Sequence, residues 1–532
     1  HRFFWQFFRL QVYSIQEIGD LGMNIRKISL IALIIFLSAI YAVLLAQKID
    51  LTTLDLGRHL KNGELFLENF SVSQKNFYSY TFPDYPVINH HWATGVTFFL
   101  MYDLTGFKGL SVFFILTSIV TFLIFFNIAS KYSTPTIAAI VSIFIIPVLG
   151  SRIEIRPEIF SYLFCGIFFW ILWNYNQEKI GYRWLFILPL VELLWVNFHI
   201  YFFLGPALIG VFLIENIIRQ KKFRWLLITL IITALAAFIN PAGIGGVLYP
   251  LKMFGNYGYR LFENQSVWFI QNLMNYPPTF YFKLVFGILL ISWVAAFHAI
   301  IKKRTKFSLA NFLITVAFGV IGWLMIRNFT IFGYFALPIA AINFKNLTEN
   351  NVIEKENPEY FSAIILTLTI LILLIMINPN YWHGRNNIGL GTESNANKAA
   401  EFFIKEGLTG PIFNNYDIGG YLIYYLFPRE RVFIDNRPEA YPELFFKESY
   451  IPMQETDKKW QEELEKYNFN SIFFYRNDLT PWAQSFLIQR VSDPDWSPVY
   501  VDNYNIIFLK RNELNQLVIQ KYELPKSIFN VK

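Results

Sequence analysis

The sequence predicts an α-helical polytopic membrane protein with a C-terminal extracytoplasmic α/β domain. Three observations lead there. Of 532 residues, 55% are hydrophobic and 16% charged, against about 25% charged in an ordinary soluble domain. The polar deficit is concentrated in nearly charge-free apolar runs that recur from Ile28 to Ile377, and runs of that length read as bilayer spans. From about Asn378 onward the composition returns to that of a soluble domain.

The elements follow in order. Residues 1–27, with Phe3, Phe4, Trp5, Phe7 and Phe8, read as an interfacial or cytoplasmic segment. The chain opens on His1 without a signal-peptide pattern, so a native N-terminus is expected to be missing. Residues 28–378 hold about eleven spans. They fall near 28–46, 107–128, 134–150, 157–175, 184–198, 200–218, 225–240, 281–301, 308–326, 329–344 and 361–378. The stretch Trp92–Thr105 is apolar but short and reads as a half-buried or interfacial helix.

Basic residues occupy every second connection: Arg26 and Lys27, Lys131, Lys179 with Arg183, Arg219 to Arg224, Lys302 to Lys306, and Lys345 with Lys355. The positive-inside rule puts these loops and the N-terminus in the cytoplasm, and residues 379–532 outside. The net charge of +7 is thus a topology signal and does not suggest nucleic acid. The lone Cys165 sits in an apolar run, so no intrachain disulfide forms and the outer domain must hold by packing.

The outer connections collect the polar residues that are unusual for a membrane protein. The large first outer loop, 47–92, carries Asp50, Asp55, Arg58, His59, His90 and His91. Asp55 opens a helical pattern over Thr53–Phe70 whose Leu56, Leu60, Leu65, Phe66 and Leu67 suit the membrane surface. Asp55 and His59, four apart, then share a helix face. A carboxylate there acts as a general base or a metal ligand, with partial burial raising its pKa; the plainer reading is a helix N-cap or a solvated acid. Together with the histidine pair, which more often caps or hydrogen-bonds, Asp55 and His59 leave a divalent cation open but not assigned. Arg152, Arg156 and Arg327 break the positive-inside trend, and a guanidinium fork suits a phosphate. Their plainer role is to pair with Glu154, Glu158 or lipid head groups.

Residues 395–515 alternate helix and strand patterns, with strands expected at Pro411–Asn414, Arg431–Asp435, Ser471–Tyr475, Pro498–Val501 and Ile506–Lys510. Asp417, Asp435 and Arg437 follow strands, where loops commonly build sites. Gly419-Gly420 also suits tight packing at a helix start, and Asp435 a turn cap.

The layout resembles the C-type (GT-C) glycosyltransferase superfamily of polytopic, polyprenyl-phosphate-sugar-dependent enzymes. Asp55-Leu-Gly-Arg-His-Leu-Lys-Asn-Gly63, Tyr78-Ser-Tyr-Thr81, His90-His-Trp92, Arg156-Pro157 and Trp195-Val-Asn-Phe-His199 look similar to a bacterial branch related in layout to protein mannosyltransferases. The superfamily's acidic pair is not a clean Asp-x-Asp here, since Asp50 and Asp55 are five apart. The resemblance implies an inverting transfer from a polyprenyl-phosphate sugar donor to a glycan or protein acceptor outside the bacterial inner membrane. It implies Asp55 as base, the three arginines neutralising the lipid phosphate, and His59, His90, His91, Asn197 and His199 positioning donor groups. Asn415-Tyr-Asp-Ile-Gly-Gly-Tyr421 faintly resembles the acceptor-binding Trp-Trp-Asp-Tyr-Gly stretch of oligosaccharyltransferases, with both Trp replaced.

Two other functions compete. A non-catalytic subunit of a membrane complex or envelope assembly would keep the scaffold, with Asp55 paired internally to Arg58 or Arg156. A transporter would carry repeats of broken helices and charge at the midplane, and neither pattern is present in the sequence.

Overall fold

The computed structural model of the chain describes residues 30–348, other than 256, and 387–529. The predicted segment 1–27, the start of the first span and the span 361–378 with Lys355 lie outside the described residues. The chain first forms α1 (Leu30–Leu45), α2 (Leu56–Asn69), α3 (Trp92–Tyr132), α4 (Pro135–Leu149) and α5 (Glu158–Asn176). Next come α6 (Ile187–Phe198), α7 (Leu204–Ile218), α8 (Arg224–Ala236), α9 (Gly243–Leu248) and α10 (Val267–Leu273). α11 (Pro277–Ile301), α12 (Leu309–Leu324) and α13 (Phe329–Thr348) complete this part. Among the described residues, α3, α5, Ile200–Ile218 and α11 are long and apolar enough to cross a membrane, and α1, α4, α8 and α12 are shorter apolar helices.

Local chemistry sets the helix ends. Pro135 opens α4, where the Thr134 hydroxyl accepts the Ile137 amide at 3.2 Å. Ser308 caps α12 in the same way through the Asn311 amide. α3 breaks at Gly106, whose φ of 67° and ψ of −173° only glycine adopts without strain. The break falls between the predicted helix 92–105 and the predicted span from 107.

The described chain forms two compact units. One comprises 30–45, 118–153 and 265–348. Here α13 is buried all round from Phe329 to Ala341 and packs against α4, α11 and α12, as a helix apolar on every face should. The other comprises 46–117, 154–264 and 387–529. In it α5 to α8 pack on one another, and α2 crosses α3 closely, because a Cβ on Gly63 would meet the Gly95 carbonyl oxygen. Leu56 and Leu60 of α2 are fully buried in protein, contrary to the expectation that they lie on the membrane.

The C-terminal part of this unit adds α14 (Lys398–Lys405), β1 (Ile412–Phe413), α15 (Gly419–Leu426), α16 (Asp457–Tyr467), β2 (Ser471–Tyr475), α17 (Ala483–Ser492), β3 (Trp496–Val501), β4 (Asn505–Lys510) and α18 (Gln516–Tyr522). The sheet is mixed, in the order β1-β2-β4-β3, with β1 parallel to β2 and the other pairs antiparallel. Phe413, Trp460, Phe474, Phe486, Trp496 and Phe508 form its aromatic core, against which Tyr80 and Phe82 of the first loop also pack.

The expected strand Arg431–Asp435 does not form. Val432 makes a single bridge to Ser79 of the first loop. The Asn414 side chain takes the Phe433 amide and the Ile434 carbonyl, and the Tyr441 hydroxyl takes the Asp435 amide. Side chains have claimed the backbone groups that a ladder would need.

Candidate active site around Asp55

Asp55 occupies the N-cap position of α2, yet its side chain makes no cap hydrogen bond. It turns instead to cations and an imidazole. Oδ2 lies 3.4 Å from Arg58 Nη2 and 3.3 Å from His59 Nε2, placed there by the i, i+3 and i, i+4 spacing of one helix face. Oδ1 is buried, accepts no hydrogen bond, and faces Arg156 Nε at 3.9 Å. Arg156 is held by Glu154 at 3.1 Å and by Glu263 at 2.8 Å. Arg58 Nε reaches the Asn436 side-chain oxygen at 3.3 Å.

The backbone explains how the C-terminal segment comes so near. A Cβ on Gly420 would sit 2.9 Å from the Leu54 carbonyl oxygen and 3.5 Å from the Asp55 Cα. A Cβ on Gly57 would sit 2.7 Å from the Gly420 carbonyl oxygen. The start of α15 therefore lies directly on the turn that carries Asp55, and Gly419-Gly420 serves tight packing.

Burial pushes the Asp55 carboxyl up, but Arg156, the His59 imidazole and Arg58 together outweigh it and hold the group well below the usual carboxylate range. This reverses the expectation of a raised pKa: the cations supply more than burial removes. Burial and the Arg58 charge lower His59, so it is neutral at pH 7, and its Nε2–H donates to Asp55.

Behind His59 the histidines stack. His59 meets His91 edge-on at 5.5 Å between ring centres, and His91 stacks on His199 at 5.0 Å. Burial depresses His91, and pushes His90 down to about 4. The Trp195 indole donates to Ser161 Oγ at 2.7 Å, which leaves the Ser161 hydroxyl proton for His199 Nδ1 at 2.7 Å. His90 packs against the Tyr249 ring, 4.4 Å between centres. The Asn197 amide is engaged by protein: it accepts from the Trp92 indole at 2.8 Å and donates to the Ile239 and Leu193 carbonyls.

Asp435 and Arg437 close on each other. Arg437 Nε and Nη2 meet the Asp435 carboxylate at 2.7 and 2.6 Å, Tyr441 adds a hydrogen bond, and Arg437 Nη2 also binds Asn76 of the first loop at 2.6 Å. This is a satisfied internal pair. Asp417 is half-buried, and burial with the nearby Asp478 and Asp50 charges pushes it up to about 7. Arg152 and Arg327 belong to the other unit, Arg152 just after α4 and Arg327 in a 3₁₀ turn, Ile326–Asn328, after α12.

Glu263, Asn436 and Ser161 were not anticipated. Arg58 had a local signal, one turn after Asp55. Glu263 and Asn436 had none, since their partners are far away in the chain.

Among the described residues no group of three or more His, Cys, Asp or Glu side chains is arranged to hold a metal ion. Asp55, faced by two guanidinium groups, is a poor seat for a divalent cation.

No protein-family model matches the chain, and no curated protein does. Solved structures do match. Archaeal oligosaccharyltransferase AglB from Archaeoglobus fulgidus, in complex with an inhibitory peptide and a dolichol-phosphate, is similar with a TM-score of 0.54 at 11% identity, over 90% of this chain and 74% of its own. ArnT from Cupriavidus metallidurans bound to undecaprenyl phosphate gives 0.52 at 10% identity, over 91% and 98%. Arabinofuranosyltransferase AftD from Mycobacteria gives 0.52 at 13% identity, over 90% of this chain and 41% of its own. All three are glycosyltransferases of the GT-C fold. At these identities the likeness is one of fold, and the chain is an integral membrane protein with that fold.

Proposed function

We propose that the protein is a membrane glycosyltransferase that moves a sugar from a polyprenyl-phosphate-linked donor to an extracytoplasmic acceptor, with Asp55 as general base. The observation that carries this reading is the contrast between two ion pairs. Arg437 and Asp435 close at 2.6–2.7 Å through Nε and Nη2, each on a separate carboxylate oxygen. Asp55 is held by contacts of 3.3–3.9 Å, and its buried Oδ1 accepts no hydrogen bond. The first geometry is that of a structural pair; the second leaves a carboxylate oxygen for a substrate hydroxyl. Neighbours of the same fold hold a dolichol-phosphate and an undecaprenyl phosphate, which supports the class of donor.

In the reaction, the acceptor oxygen attacks the anomeric carbon and its proton passes to Asp55. The bond from that carbon to the phosphate oxygen breaks, and the lipid phosphate leaves with the electron pair. A single displacement of this kind inverts configuration. Arg156 neutralises the charge that develops on the phosphate. As Arg156 turns toward the phosphate, Asp55 loses the strongest contribution lowering its pKa and becomes a better base. His59 holds the carboxylate through Nε2, and the His91–His199 stack backs it. Asp417, beside the start of α15, faces the acceptor. On this reading there are about eleven spans within 28–378, residues 1–27 are cytoplasmic, and 379–532 form the extracytoplasmic domain at the bacterial inner membrane.

The contacts from Arg58 and Arg156 to Asp55 favour a second reading, a non-catalytic subunit of a membrane complex that keeps the scaffold. One experiment separates the two. Sugar transfer from defined polyprenyl-phosphate sugars is measured in proteoliposomes for wild type and Asp55→Asn, with donor binding followed by thermal shift. Transfer that collapses in the variant while binding persists establishes the base. No transfer and no shift with any donor would select the subunit.

A further inference from the structure

One surface of the first unit remains outside this chemistry. α11 and α12 line a partly open groove of about 610 Å³, walled almost wholly by apolar atoms. Trp268 and Trp323 stack at one end, 5.0 Å apart, and Trp293 and Phe312 meet edge-on near the other. Gly319 forms part of the wall. The deep Trp293 indole is already satisfied by Thr315 at 3.0 Å, so the wall offers a ligand no polar partner there. From Trp323 to Phe312 the groove follows eleven residues of α12, about 16 Å at the helical rise. That is close to half of the roughly 30 Å hydrocarbon core, one leaflet deep.

The Trp323 end carries a cation. Lys283 Nζ lies 5.9 Å from the Trp323 ring centre and donates to Gln271 Oε1 at 2.7 Å. It has no carboxylate partner among the described residues.

We propose that this groove is a binding site for an anionic phospholipid, with one acyl chain between α11 and α12 and the phosphate on Lys283. The length selects the occupant: an acyl chain spans one leaflet, whereas a long polyprenyl chain would overrun a slot of this depth. The charge selects the head group, because Lys283, with no carboxylate partner among the described residues, favours a phosphodiester that no head-group cation already neutralises. The inference rests on α11 and α12 spanning the membrane and not on the proposed reaction.

The test titrates the full chain, in nonionic detergent, with phosphatidylglycerol carrying brominated acyl chains, and separately with phosphatidylcholine carrying the same chains. Bromine quenches the tryptophans it approaches. The expected result is saturable quenching by phosphatidylglycerol at a concentration at least about tenfold lower than for phosphatidylcholine, with Lys283→Ala erasing the difference. Val320→Phe, at a half-exposed position of the wall, removes the saturable phase for both lipids. Equal responses to the two lipids in wild type, or saturation that survives Val320→Phe, would overturn the site. So would displacement by an equal concentration of undecaprenyl phosphate, which would assign the groove to an isoprenoid chain. Loss of sugar transfer in Asp55→Asn changes none of these readings.

Discussion

Replacing Arg156 by Gln tests the electrostatic reading of Asp55 directly. Arg156 is the strongest of the groups opposing burial at that carboxyl. At 3.9 Å, a full charge at an effective dielectric near 20 is worth roughly 4 kcal/mol, about three pKa units. Glu154 and Glu263 share the same guanidinium at 3.1 and 2.8 Å and cancel much of its field. The expected rise is therefore about one to two units. Asp55 works as a base only when ionised, so the acid limb of the rate profile lies at its pKa. That limb should move up by the same one to two pH units in Arg156→Gln. The assay is kcat/KM for sugar transfer in proteoliposomes, carried as far into acid as the protein stays folded, since the wild-type limb lies below the usual carboxylate range. Arg156→Lys, which keeps the charge, should return the limb most of the way. Donor KM should rise in both variants, since neither a neutral amide nor a point charge is a full substitute for the guanidinium fork at a phosphate. An acid limb that stays in place or moves down in Arg156→Gln would refute the reasoning, whatever the loss in rate.

Three further outcomes follow from the same geometry. Arg437→Ala strands the buried Asp435 charge and should destabilise the protein by about 3–5 kcal/mol, measured as loss of unfolding midpoint in detergent; a cost under about 1 kcal/mol would mean the pair is solvated. Gly420→Ala drives a methyl into the Leu54 carbonyl and should cost about 1–3 kcal/mol and lower transfer, while Gly181→Ala, with open space around it, should be close to neutral. For Asp417, a folded pKa near 7 against an ordinary 3.8 means its stabilising contribution is complete below about pH 4 and is lost as pH rises through 7. Asp417→Asn should therefore gain about 1–2 kcal/mol on wild type at pH 8, after allowing for solvent near a half-buried group, and nothing at pH 4; equal stability at both pH values would refute the assignment.

The apolar helices among the described residues, including those expected from 134 and 308, and the division between 92–105 and a span from 107 were legible because each depends on a local run of residues. A charge-free stretch, a proline at the first helical position, or a glycine with positive φ acts within a few residues of itself. Asp55 and its helical partners Arg58 and His59 were legible for the same reason, since i, i+3 and i, i+4 spacing is a property of the chain alone. Arg431–Asp435 shows where this stops. Its residues have strand propensity, but Asn414, Tyr441 and the 78–80 backbone compete for its amides and carbonyls. Propensity counts preferences and cannot count competitors.

The sequence by itself determined that this is a helical membrane chain, with unusual polar residues in the first loop and a mixed helix–strand pattern in the C-terminal part. Composition and short-range pattern locate the apolar runs, but not what covers them: Leu56 and Leu60 meet protein where lipid was expected. Only the tertiary structure decided which direction the Asp55 pKa moves, that Asp435 and Arg437 bind each other, and that Asn436 and Glu263 reach the groups around Asp55. The groups around Asp55 come within 4 Å of one another from positions about a hundred to nearly four hundred residues apart, while Asp435 and Arg437, two residues apart, are turned onto each other by the buried backbone that carries them. An electrostatic balance is fixed by distance in space, and sequence separation carries no information about it.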